Sequence, residues 1–199
     1  MGQVLWHVTM SLDGFIAGPR HDMTWLADYL GPNPTADEVL AQVGALLIGD
    51  RTYQLAKTED GKPYGGAWSG PQFVLTHHPP KNPPAGFTFL SGDVEEAVAA
   101  AKAAAGDKYV VVLGADTARS CLDAGVLDEV LVHIAPVLLG DGVRFHVHPG
   151  GTNVKLERIS LTQSPLVTNL WLRVVSREMT HQLKRGELPR GQQPQGPLP

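Results

Sequence analysis

The sequence predicts an α/β fold, a mostly parallel sheet that carries antiparallel strands at its C-terminal edge. Three observations support this. Short apolar runs rich in β-branched residues alternate with helix-like segments from residue 4 to residue 135. Some of these runs, such as Ala45-Leu46-Leu47-Ile48 and Val110-Val111-Val112, are apolar throughout, the pattern of strands buried on both faces. Two alternating segments, 154–162 and 167–175, then close the folded part as an antiparallel pair.

Taken in order, residues 4–10 form the first strand, followed by the loop SLDGFIAGPRHD. A short helical segment over 25–30 is broken by GPNP. The spacing predicts a helix over 35–43, capped by Thr35, with Asp37 and Glu38 in the turn where acids meet unpaired N–H groups. A strand at 45–48 runs into Gly49-Asp50-Arg51-Thr52, which reads as another helix start. The strand at 73–76 is stopped by His77-His78-Pro79-Pro80, and the alanine-rich helix 94–105 by Gly106. A strand at 109–113, a helix at 117–124 closed by Gly125, and a strand at 130–135 follow. From Ser176 the chain becomes rich in Pro, Gly and Gln. Residues 176–199 read as a short helical extension and then a disordered tail behind a domain spanning 1–175.

With 199 residues, 43% of them hydrophobic and 18% charged, the chain can build one substantial core. A net charge of −4 gives no footprint for nucleic acid or a membrane surface. A single cysteine, Cys121, excludes an intrachain disulfide, and its place on the inward stripe of a helix reads as a small buried hydrophobe. The N-terminus lacks a basic leader, and no apolar run approaches the ~18 residues of a membrane span; a cytoplasmic protein is expected. His77-His78 and His146-Val147-His148 lack a third ligand at suitable spacing, so no metal is expected.

Open α/β sheets bind ligands outside the carboxyl ends of their strands, and four such ends carry unusual residues. Gly114-Ala115-Asp116-Thr117 could hold a phosphate on free helix N–H groups, or Asp116 could simply cap the helix. Arg51 with Thr52 could grip a phosphate, or Arg51 could pair with Asp50 or Glu59 on the surface. Thr76, His77 and His78 supply a third set of donors. Asp13 could organise an Asx turn at Gly14 or face a cleft, and Asp28 is the rival carboxylate; one of them could bind or protonate a nitrogen-rich ring.

The order SLDGFIAG, LLIGDRTY, FVLTHHP and VVLGADTARSCLDAGVLDEVLVHIAPVLLGDG resembles the dihydrofolate reductase-like superfamily. It is most similar to the branch of riboflavin-biosynthesis reductases, the RibD C-terminal type, over residues 3 to about 175. The resemblance implies a doubly wound sheet with helices on both faces and NADPH as hydride donor. It places Gly49, Arg51 and Thr52 on cofactor phosphates, Thr76 and His77 near the adenosine 2′-phosphate, and Gly114, Ala115, Asp116, Thr117 and Ala118 around the pyrophosphate. Ile16, Ala17 and Gly18 match the mobile loop over the nicotinamide. Two departures stand out: Asp50 between Gly49 and Arg51, and Ala115-Asp116 where the family has consecutive glycines. Met23-Thr24-Trp25-Leu26 resembles the Met-Pro-Trp stretch of true dihydrofolate reductases, but Asp28 is out of register with their acid.

The resemblance therefore implies an NADPH-dependent reductase acting on a C=N or C=O of a small, pterin- or pyrimidine-like substrate. Trp25 and Tyr53 are expected to wall the substrate, Asp13 to orient it or relay a proton, and Gly140 and Gly142 to let backbone come close. The alternative is a module of the same fold that binds a nucleotide or pterin without turnover. A homodimer is expected from the resemblance; the apolar LVHIAPVLL is either its surface or a central strand.

Overall fold

The computed structural model describes residues 2–57 and 62–175. Six strands run parallel: β1 (Val4–Ser11), β3 (Val43–Gly49), β4 (Gln72–Leu75), β5 (Phe87–Leu90), β6 (Tyr109–Leu113) and β7 (Glu129–Ala135). β9 (Leu156–Gln163) and β10 (Thr168–Val174) join antiparallel, giving one eight-stranded sheet in the order β5-β4-β3-β6-β1-β7-β10-β9. β2 (Phe15–Ala17) and β8 (Val143–Arg144) form a separate pair.

Strand alternation sorts the core into two layers. Val4, Trp6, Ala45, Leu47, Val110 and Val112 face α3 (Val94–Ala105) and α4 (Ala115–Asp123). Ala97, Ala101 and Ala105 keep the inner stripe of α3 small, and a Cβ on Gly44 would lie 2.7 Å from the Ala105 carbonyl oxygen. Leu5, Leu46, Ile48, Val111 and Leu131 face the other way, toward Val39 of α1 (Pro34–Gln42). Each such aliphatic side chain contributes about 1.5–3 kcal/mol by leaving water. The expected mostly parallel sheet, with antiparallel C-terminal strands and helices on both faces, is what the chain forms.

Several elements depart in detail. α1 begins at Pro34 with Asn33 at the cap position; the Thr35 hydroxyl bonds Thr162 at 2.8 Å across to β9 and caps nothing. α4 starts at Ala115 with Gly114 at its cap position, so Asp116 sits inside the first turn and is not the cap. α2 (Asp50–Ala56) follows β3 directly. The strands β2 and β8, of 3 and 2 residues, were not expected because so few residues display no period, and β5, where Thr88 interrupts the apolar run, was not expected either. β7 is central, between β1 and β10, so the LVHIA of LVHIAPVLL is a central strand, while Pro136 and Leu138 beyond it are exposed. The tail expected over 176–199 lies outside the described residues. No helix among the described residues is long and apolar enough to cross a membrane.

Candidate functional site

Because β4, β3, β6, β1 and β7 are parallel neighbours, the turns after them share one edge of the sheet. Thr76 and His77, Gly49 to Thr52, Gly114 to Ala118, Asp13, and residues 136–142 follow one another along it. The turns after β3 and β6 touch reciprocally. A Cβ on Gly49 would stand 2.8 Å from Thr117 Oγ1, and one on Gly114 would stand 2.9 Å from Thr52 Oγ1. Gly114 also has φ +99°, a conformation that side chains other than hydrogen resist. Neither α2 nor α4 carries a side-chain cap, which leaves first-turn N–H donors of adjacent helices open toward this edge. Arg51 and Arg119 flank them, each paired with Asp116, at 3.8 and 3.5 Å.

The Asp13 carboxylate is fully engaged. Its Oδ1 accepts from the Ser11 hydroxyl at 2.6 Å and the Leu139 N–H at 3.1 Å, while Oδ2 accepts from the Gly140 N–H at 2.7 Å. These bonds, Ser11 foremost, hold its pKa down at about 2. Asp13 is thus a clamp between the turn after β1 and the loop after β7, and it is no proton donor at neutral pH. Gly140 serves it through its N–H, and Gly142 has φ +134° where a Cβ would strike the Ala17 carbonyl. Ile16 and Ala17 lie in β2, paired with β8 and buried together with Gly18. The segment expected to cover the nicotinamide is thus the short buried strand β2 and the residue after it, with the Arg144 guanidinium 4.3 Å from the centre of the Phe15 ring.

On the α1 face, beside the upper halves of β1 and β7, a cavity of about 70 Å³ opens. Thr9, Tyr29, Asn33, His133, Ser164 and Leu166 are among its walls, and none of its lining residues carries a carboxylate, amine or guanidinium. Trp25 lies against Tyr29, ring centroids 6.0 Å apart, and its Nε1 is buried with no partner among the described residues. Asp28 is exposed on the same 3-10 turn, Thr24–Tyr29. Tyr53 belongs elsewhere: it is packed edge-on between Phe87 and Phe89 at 5.0 and 4.9 Å and walls no cleft.

Behind the cavity runs a polar chain that sequence reasoning missed. The Asn169 Oδ1 accepts from His133 Nδ1 at 2.6 Å, so His133 turns a lone pair on Nε2 toward His7 Nε2, 2.6 Å away. His7 therefore carries its proton on Nε2 and accepts the Tyr64 hydroxyl on Nδ1 at 2.9 Å. Asn33 and Asn169 close the chain with two reciprocal amide bonds of 3.0 Å. Burial, reinforced by His133, pushes the His7 pKa down to about 3; burial also lowers His133, against the bond to Asn169. Both rings are neutral. The available signal was one histidine interrupting each of two apolar strands, VLWHVTM and LVHIA.

A family model, the RibD C-terminal domain, matches residues 3–168. The chain belongs to that family. Its fold is that of the dihydrofolate reductase-like riboflavin-biosynthesis reductases. The uncharacterised protein YwjB of Bacillus subtilis (strain 168) is 24% identical over 154 residues, 76% of this chain and 87% of YwjB. A protein of Shewanella sp. PV-4, provisionally assigned to riboflavin biosynthesis, superposes with a TM-score of 0.74 at 21% identity, covering 88% of this chain and 99% of that one. The diaminohydroxyphosphoribosylaminopyrimidine deaminase/5-amino-6-(5-phosphoribosylamino)uracil reductase of Thermotoga maritima gives 0.64 at 19% identity, covering 87% of this chain. The RibD C-terminal fold spans only 57% of that bifunctional chain.

Within this RibD-type domain, then, the edge unites Arg51, Thr52, Thr76, His77, Gly114 and Thr117. Trp25 and the 70 Å³ cavity lie on the α1 face near the same end, while Tyr53 is in the core.

Proposed function

We propose that this RibD-type domain is a cytoplasmic NADPH-dependent reductase that delivers hydride to a C=N or C=O of a small, neutral, pterin- or pyrimidine-like ring. The observation that carries this reading is the pair of uncapped helix starts at Gly49 and Gly114, each kept bare where the other's threonine approaches. That floor, flanked by Arg51 and Arg119, suits a pyrophosphate. Thr76 and His77 stand one strand further along for a 2′-phosphate. NADPH, when bound, supplies the hydride.

The rest falls to the chain. Ala115 and Ala118 keep the start of α4 narrow, and Ile16 to Gly18 wall the nicotinamide end. Thr9 and Ser164 offer the ring's polar edge hydroxyl groups, beside Asn33 and His133, which are held in their own hydrogen bonds, and the orphan Trp25 N–H offers it a donor. Asp13 acts by position, holding Leu139 and Gly140 where backbone meets the substrate. Asp28, exposed one residue before the cavity-lining Tyr29, is the rival carboxylate in this reading.

The domain works as a homodimer in this reading. Among the described residues β9 ends the sheet with no strand on its outer side and exposes Leu156, Ile159 and Leu161, an arrangement that proteins normally cover.

NADPH titration followed by a turnover assay over pteridine and pyrimidine acceptors tests the assignment. Saturable NADPH binding with acceptor-dependent oxidation is expected; no binding removes it. A binding module without turnover is the second reading, favoured by a cavity wall without an ionised group. Binding without oxidation of any acceptor would establish it.

A further inference from the structure

Asp116 occupies the first turn of α4, where the family resemblance leads one to expect glycine, and its partners define its role. Its Oδ2 lies 3.8 Å from Nη1 of Arg51 on α2, and its Oδ1 lies 3.5 Å from Nη2 of Arg119 on α4. One carboxylate is shared between guanidinium groups of two helices, one oxygen to each. Beside them lie the uncapped start of α4 and the bare glycines Gly49 and Gly114. Two guanidinium groups and the start of α4 thus gather around one exposed carboxylate that the protein itself supplies.

We propose that Asp116 is a self-supplied anion that competes with the dinucleotide's phosphates for Arg51 and Arg119. It sets the affinity and the salt dependence of cofactor binding. This rests on the dinucleotide reading above. Both arginine contacts are long, and the Arg51 and Asp116 side chains are mostly exposed, at 70% and 75%. Such pairs are weak enough for a phosphate to displace, and a phosphate offers Arg51 the shorter bidentate geometry that Asp116 does not. The displaced carboxylate stays within a Debye length of the phosphates and repels them.

The full chain, with Asp116→Asn and Asp116→Ala variants, is titrated with NADPH and separately with inorganic pyrophosphate. Titrations are run at about 20 mM and about 300 mM salt, bracketing strong and weak screening. Both variants should bind both probes about three- to tenfold more tightly at low salt, the gain shrinking at high salt, as expected for weak exposed charges. Melting temperature is recorded alongside. If Asp116 serves only the helix dipole, the variants melt lower and bind as before, and that result overturns the competition while leaving the cofactor reading intact. Weaker binding by the variants overturns it too. Failure of all three proteins to bind NADPH refutes the cofactor reading and the competition together.

Discussion

Acidification should destabilise this protein through His7 and His133 at a pH above the window in which Asp13 acts. The two Nε2 atoms are 2.6 Å apart, and the chain from Tyr64 to Asn169 leaves one proton between them. A second proton would set N–H against N–H in a buried site. The folded pKa of His7 is about 3, against an ordinary 6.5. Below pH 6.5 the unfolded chain therefore binds a proton that the folded chain refuses, so stability falls as pH drops from 6.5 toward 3. Each unit costs about 1.4 kcal/mol, which makes about 2 kcal/mol at pH 5 from His7 alone; His133, lowered in the same direction, adds to it. Asp13 acts in a lower window. Its depressed pKa stabilises the fold above its ordinary value of 3.8, and that contribution disappears only as pH falls toward 2. Urea midpoints followed by tryptophan fluorescence at about pH 7.5 and about pH 5 measure the loss, with free energies of this size well resolved. His7→Gln and the His7→Gln/His133→Gln double variant should be less stable at neutral pH yet lose much less on acidification. Equal acid losses in wild type and double variant would refute the neutral-pair assignment.

Other expectations follow from the same geometry. Gly114→Ala forces a Cβ into a left-handed backbone and against Thr52; a loss of about 1–3 kcal/mol is expected in denaturant titration, with weakened NADPH binding, and wild-type values for both would contradict the described turn. Asp13→Asn sets an amide against one of the N–H groups of Leu139 and Gly140. Faster amide exchange at those two residues is the expected signature, and unchanged protection would show that the clamp is dispensable. Leu161→Glu on the free edge of β9 should yield monomers by light scattering while shifting stability by only about 0.5 kcal/mol, since Leu161 is 58% exposed. A dimer that persists would place the interface elsewhere.

The sheet was legible because its cause is local. Ala45 to Ile48 and Val110 to Val112 are apolar at every position, and only a strand covered on both faces uses such a run. The turns after those strands were legible for the same reason: a parallel sheet puts its carboxyl ends on one edge, so Arg51, His77 and Gly114 had to share it.

Direction and partnership were decided only by the tertiary fold. Tyr53 reads as a wall residue until Phe87 and Phe89, on a strand the sequence pattern does not mark, close over it. Asp13 reads as an Asx-turn residue or a cleft-facing acid until Leu139 and Gly140, more than a hundred residues away, supply the N–H groups that engage it. His7 and His133 look like isolated interruptions until β1 and β7 lie side by side and bring their Nε2 atoms together. Periodicity along a chain reports which face a residue takes. Which group it meets there depends on strand order and loop closure, to which segments distant in sequence contribute equally.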